Sequence, residues 1–140
     1  MRLEGKTAVI TGGGTGIGQG IAQAYAGEGC KVVIAGRREE PLKNAAEAWN
    51  GAGEMIYQTV DVACRDSVKD FFGWVAENVG EIDILVNSAG TNIPNRTIAA
   101  MEPEQWDQVL AINASGAYYT MYEALPVSYT HLTLPTNREV

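Results

Sequence analysis

The sequence predicts an α/β fold in which a parallel sheet carries helices on both faces. Three observations lead there. Four short apolar runs alternate with four stretches of helical periodicity, the order that strands joined by helical crossovers require. The first apolar run breaks into a glycine-rich loop before the first helical stretch. The chain has 140 residues, which suits one domain, and 46% of them are hydrophobic, enough to fill a core.

Each element has its own signal. Thr7-Ala8-Val9-Ile10-Thr11 is a short apolar run that ends at glycines and reads as a buried parallel strand. Ile17, Ile21, Ala24 and Tyr25 then fall on one helix face, and Gly29 can end that helix. Val32-Val33-Ile34-Ala35 is the second strand. Leu42, Ala45, Ala46 and Trp49 form the next helical stripe, closed by Gly51 and Gly53. Met55 to Val60 reads as the third strand, and Val68, Phe71, Phe72, Val75 and Val79 as the apolar face of the third helix. Ile82-Asp83-Ile84-Leu85-Val86 is the fourth strand. Pro103 suits the first turn of a fourth helix. Trp106, Val109, Leu110, Ala117, Met121 and Ala124 are expected to line its buried side. Crossovers between parallel strands are expected to be right-handed.

Composition narrows the function. The formal net charge is −7, which argues against a nucleic-acid binder working by counterion release and against a basic membrane-surface helix. No apolar run is long enough for a membrane span, and the start lacks a signal-peptide core. The expected compartment is the cytoplasm. Cys30 and Cys64 read as reduced thiols. With His131 as the one histidine, no metal site is expected. Glycine is in excess, 16 residues against a usual ~7%, which signals close backbone approaches.

The glycine loop is Thr11-Gly12-Gly13-Gly14-Thr15-Gly16-Ile17-Gly18. It does not fit G-x-G-x-x-G in any frame, but Gly12, Gly16 and Gly18 fit G-x3-G-x-G. The physics is the same: a sharp strand exit, then a helix start whose free amides and positive dipole attract a pyrophosphate. The alternative is a merely tight strand-to-helix turn. Here the sequence resembles the short-chain dehydrogenase/reductase family, whose first motif is T-G-x3-G-x-G. A second family motif, N-N-A-G after the fourth strand, appears as Asn87-Ser88-Ala89-Gly90. The resemblance covers roughly residues 4–125. It implies a Rossmann-type doubly wound sheet, incomplete, with strand order 3-2-1-4. It also implies nicotinamide cofactor chemistry on a small-molecule carbonyl or alcohol, in a parent protein that is a homo-oligomer. Its cofactor-binding set maps onto Gly12, Gly14, Thr15, Gly16, Ile17 and Gly18 of the loop, Asp61 and Val62 after strand three, and Asn87, Ala89 and Gly90.

Gly36 stands where an acid holding the ribose of NAD is found, and Arg37 follows it. A planar guanidinium suits a 2′-phosphate, so NADP(H) is favoured over NAD(H). The alternative for Arg37 and Arg38 is a solvated helix start paired with Glu39 and Glu40. Asp61 has its own alternative, a plain loop carboxylate.

The family's catalytic set is a Ser, a Tyr-x3-Lys pair and a helix Asn. Asn113 matches the last, for which the resemblance implies holding a relay water; the alternative is an asparagine bonded to its own helix. No lysine stands four places after any tyrosine, so the Tyr-Lys pair is absent. Tyr118, Tyr119 and Tyr122 are expected to be packing residues. The expected division is a dinucleotide-binding domain over 1–126 and a non-native or disordered tail over 127–140. That tail has neither period and resembles translated sequencing-adaptor read-through. Three readings stay open. One is the cofactor-binding part of an oxidoreductase truncated before its Tyr-Lys pair. Another is a non-catalytic dinucleotide-binding module. The last is a product left unstable by an unpaired fourth strand.

Overall fold

Strands covered on both faces have no use for polar alternation, which is why they read as unbroken apolar runs. The computed structural model describes residues 1–94 and 96–128. Its elements run β1 (Thr7–Thr11), α1 (Gly16–Gly27), β2 (Lys31–Gly36), α2 (Glu39–Ala48), β3 (Met55–Thr59), α3 (Arg65–Asn78), β4 (Ile84–Asn87), α4 (Pro103–Leu110), a π turn (Ala111–Ser115), α5 (Gly116–Ala124) and a 3-10 turn (Leu125–Val127). The four strands are parallel and lie in the order β3-β2-β1-β4, as the family resemblance implies.

Alternate residues of one strand feed two separate cores. Ala8, Ile10, Val32 and Ile34 pack with Ala22 and Ala26 of α1 and Leu42 and Ala45 of α2. Val9, Val33 and Ala35 pack on the opposite face with Val68, Phe71, Phe72 and Val75 of α3, and with Ile112 and Ala124. Phe71 meets Phe72 edge to face at 5.0 Å between centroids, the favoured geometry for two rings. Cys30 lies buried in the first of these cores and Cys64 is exposed, both as free thiols. Burial pushes the Cys30 thiol up, with the nearby Asp83 charge adding to it.

Two helix faces differ from the sequence expectation, for one reason. In α1 the buried residues are Gly18, Ala22 and Ala26; of the expected face Ile21 and Tyr25 pack half-buried against the core, whereas Ala24 is exposed and Ile17 is 80% exposed. In the fourth helical stretch the buried line is Ile112, Gly116, Thr120 and Ala124. Trp106, Leu110 and Met121, expected inside, are exposed, as are Tyr118 and Tyr122 at 58% and 61%. Only Tyr119 of the three tyrosines packs against the α3-side core, and the Arg65 guanidinium sits over its ring. The small residues form the contact because the helix lies too close to the sheet for larger ones. A Cβ added at Gly116 would stand 3.0 Å from the Val62 carbonyl oxygen and 2.8 Å from its Cγ2.

The fourth helical stretch is not one α-helix. A capping box of Glu102 and Gln105 starts α4, and the π turn widens the helix at Ala111–Ser115 before α5 resumes. Of the segment expected to be a tail, Val127 and Ser128 are described and packed. The Ile82 N–H donates to the Val127 carbonyl at 3.0 Å, and Ser128 pairs in parallel with Ile82. The rest of that segment lies outside the described residues. Among the described residues, no helix is long and apolar enough to cross a membrane.

Close approach at α5 has a measurable consequence. Gly116→Ala should lower stability by about 1–3 kcal/mol through overpacking. Gly73→Ala, at an exposed mid-helix position with nothing within 4 Å of the added Cβ, should raise it by about 0.5–1 kcal/mol. Urea unfolding followed by circular dichroism reads both, and a Gly116→Ala midpoint equal to the parent's would refute the tight contact.

Candidate functional site

Parallel strands all end at one edge of the sheet, so the loops after β1, β2, β3 and β4 collect there. They enclose a cavity of about 360 Å³, within the size range of small-molecule sites. Its walls come from loops far apart in sequence. Gly12, Gly14, Thr15, Gly16, Ile17 and Gly18 form the side next to β1 and α1. Arg37 and Arg38 close the side at the end of β2, backed by Pro41 and Leu42. Val60, Val62 and Ile112 give an apolar wall, and Ser88, Ala89, Gly90 and Thr91 line the side after β4.

The loops after β1 and β4 are fastened to each other. Thr11, 1% exposed, accepts the backbone N–H groups of Ser88 and Ala89 on its Oγ1, both at 3.2 Å. Gly12 turns out of the strand at φ +68°, and a Cβ there would stand 2.7 Å from the Ser88 carbonyl oxygen. A Cβ on Gly18 would overlap the Gly12 carbonyl. Only glycine permits this junction, and it fixes where α1 begins.

That beginning is left uncapped. Thr15, before the first turn of α1, makes no side-chain bond to it, and no acidic residue stands in that turn. By contrast, α2 has Glu39 and Glu40 in its first turn and α4 has its capping box. The positive end of α1 therefore lines the cavity without a side-chain cap or an acid of its own, an arrangement that attracts an anion. The glycine cradle, the apolar wall and the two arginines fit an extended dinucleotide with phosphates over the loop and a flat apolar ring against Val60 and Val62.

Three residues singled out from the sequence lie off the cavity lining. Asp61 turns to its own backbone: its Oδ1 accepts the Ala63 N–H at 3.1 Å, and its N–H donates to Ser67 Oγ. Asn87 accepts on Oδ1 from the buried Thr120 hydroxyl at 2.6 Å. Asn113, presented by the π turn, clamps Thr91. Its Oδ1 accepts the Thr91 N–H at 2.8 Å and its Nδ2 donates to the Thr91 carbonyl at 2.9 Å. A π turn at such a position is a common mark of function.

Sequence reasoning missed Leu42, Val60, Ser88, Thr91 and Ile112 as lining residues. Leu42 and Ile112 are apolar and buried, so nothing in their residue type separates a core position from a cavity wall. Ser88 and Thr91 flank residues already singled out, and adjacency was the one available signal.

Comparison with known proteins agrees with this geometry. The family model for short chain dehydrogenases matches residues 6–130. An uncharacterized oxidoreductase of Staphylococcus aureus is 36% identical over 124 residues, covering 89% of this chain and 53% of that protein. The D-beta-hydroxybutyrate dehydrogenase of Cupriavidus necator is 37% identical over 128 residues, covering 89% of this chain and 48% of that one. Among solved structures, a short-chain type dehydrogenase/reductase from Mycobacterium ulcerans superposes with a TM-score of 0.81 at 27% identity, over 89% of this chain and 47% of that chain. The Pseudomonas aeruginosa RhlG/NADP active-site complex gives 0.78 at 29%, with the same coverages. The chain spans about half the length of the curated relatives it matches.

The Thr11 hydroxyl can be tested alone. Thr11→Val leaves two N–H groups without their acceptor and should cost about 1–3 kcal/mol. Thr11→Ser, which keeps the oxygen, should cost less. Denaturant unfolding gives the energies, and amide exchange at Ser88 and Ala89 should quicken only in the valine variant. Equal exchange in both variants would show that the hydroxyl does not hold the two loops together.

Proposed function

The chain belongs to the short-chain dehydrogenase family, and from that premise we propose that residues 1–126 are its dinucleotide-binding part, with NADP(H) favoured over NAD(H). The observation that carries this reading is the shared cavity of the glycine loop and the loop after β4, with Arg37 at its β2 end. In this reading Gly12, Gly14, Thr15, Gly16, Ile17 and Gly18 hold the pyrophosphate, and Arg37 holds the 2′-phosphate through charge-assisted bonds. Val62 packs on the adenine, with Asp61 shaping that turn. Ala89 and Gly90 pass close under the ribose, while Asn87 and Asn113 act by fixing the loop that follows β4. One solved relative is an NADP complex, which favours the same choice of cofactor.

The bound cofactor supplies or accepts a hydride in exchange with a carbonyl or alcohol carbon of a small-molecule substrate. The residues present here bind and orient it. The Tyr-x3-Lys pair that moves the proton in the family is not in this sequence, so the chain by itself is expected to bind nucleotide without turnover. A non-catalytic binding module makes the same prediction, and the missing pair is what keeps that reading in view. We read the protein as cytoplasmic and as part of a homo-oligomer. The exposed Trp106, Leu110, Met121 and Tyr122 of α4 and α5 are what a second subunit would cover.

Titration of NADPH fluorescence with the chain tests the proposal. Arg37→Ala should weaken NADPH roughly tenfold, from loss of a charge-assisted contact, and leave NADH nearly unchanged. Equal NADPH affinity in both chains would remove Arg37 from the site.

A further inference from the structure

We infer that Leu42 is a positioning residue that sets the distance between the glycine loop and the Arg37 turn, and so tunes the preference for a dinucleotide with a 2′-phosphate; this rests on the nucleotide reading of the same cavity. In such a ligand the 2′-phosphate and the pyrophosphate hang from one ribose. Covalent bonds limit how far apart they stand. A site that binds both must hold its two anion-binding parts at a matching separation, or one contact weakens as the other forms.

The two parts sit on neighbouring strands. The glycine loop follows β1 and Arg37 follows β2, and paired strands lie about 4.8 Å apart. Backbone bonds join the two loops at their roots. The Ala35 carbonyl accepts the Gly12 N–H at 2.7 Å and the Gly13 N–H at 3.3 Å. On its other side the β2 end is tied to the loop after β3, where the Gly36 carbonyl accepts the Val60 N–H at 2.8 Å.

Further out, a side chain spans the two loops. A Cβ built on Gly14 would stand 3.1 Å from Leu42 Cδ2, and one built on Gly36 would stand 3.6 Å from the same atom. One methyl group of Leu42 is thus wedged between the glycine loop and the residue before Arg37. The Leu42 nitrogen and the Pro41 carbonyl carbon would stand 3.3 and 3.4 Å from the Gly14 Cβ, so the start of α2 also rests on the glycine loop. Leu42 is 2% exposed and lines the cavity together with Arg37, Arg38 and Pro41. It belongs to the core of Ile10, Ile34 and Ala45, which fixes where the methyl stands. The wedge carries no charge and no hydrogen-bonding group. It acts on the phosphates through the two loops it holds apart.

The test titrates the full chain with NADPH and with NADH and reads the ratio of the two dissociation constants. Leu42→Val draws the methyl back by one carbon and should cut the NADPH preference about threefold, part of one charge-assisted contact. Leu42→Ala should cut it further, towards the ratio of Arg37→Ala. Leu42→Met, which keeps the reach, should retain most of it. Met55→Ala truncates the same core at the start of β3, off the cavity lining, and should leave the ratio unchanged. Leu42→Val is the milder core change and decides alone if Leu42→Ala does not fold. A ratio unmoved by Leu42→Val, or moved equally by Met55→Ala, overturns the inference and leaves the nucleotide reading standing. A parent chain that binds no NADPH, or binds it no better than NADH, overturns the cofactor reading and this inference with it.

Discussion

The contact between the ends of β1 and β4 governs the rest of the molecule. Thr11 holds the Ser88 and Ala89 amides, and Gly12 lies against the Ser88 carbonyl. A hydroxyl buried at this point is stable only because its bonds are satisfied. It makes two loops, more than seventy residues apart in sequence, into one wall. Below it, β1 and β4 stay in parallel register from Ala8 with Ile84 to Thr11 with Asn87. At the far end Asp83 closes the pair, accepting the Thr7 N–H at 2.9 Å while its own N–H donates to the Thr7 carbonyl.

Once the strands are fixed this way, the helices have little room. α1 starts directly beneath the Gly12 turn, and its fully buried residues are the small Gly18, Ala22 and Ala26. α5 meets the loop after β3 through Gly116. In both cases some bulky apolar residues are displaced outward. At α1 the displaced residue is Ile17, which lines the mouth of the cavity. At α4 and α5 it is a row of aromatic and aliphatic side chains. Close backbone packing at the site thus creates the exposed apolar face at the same time.

The strands were legible because burial on both faces leaves an unbroken apolar run, and β1 is found at the residues the sequence marks, Thr7–Thr11. The faces of α2 and α3 were legible too, since Leu42, Ala45, Phe71 and Phe72 are large or aliphatic residues at helical spacing. The faces of α1 and α5 were legible only in part: Ile21, Tyr25 and Ala124 pack as expected, while the closest contacts, made by Gly18, Ala22, Ala26 and Gly116, were missed. Periodicity weighs hydrophobicity, whereas these contacts select for small size, and glycine and alanine score weakly. The cavity's glycine side and Arg37 could be read from motifs, because their chemistry is local to one loop. The partner of Asn113 could not, since its bond to Thr91 spans twenty-two residues and depends on the π turn, which no residue of Ala111–Ser115 announces.

A net charge of −7 looks unsuited to a site for a phosphate-rich ligand, yet the two are compatible. Screening confines the effect of exposed charges to about 10 Å, so the cavity responds to what lies within it. There the chain leaves the α1 terminus uncapped and sets Arg37 and Arg38 at the β2 end. The first turns of α2, α3 and α4 each carry an acid of their own, Glu39 and Glu40, Asp66, and Glu104, which occupies their positive ends. Of the four long helices that begin from a loop, only α1 offers its dipole to a ligand. The favourable groups for an anion, the α1 terminus and the Arg37 and Arg38 side chains, thus lie together on the lining of one cavity despite the acidic whole.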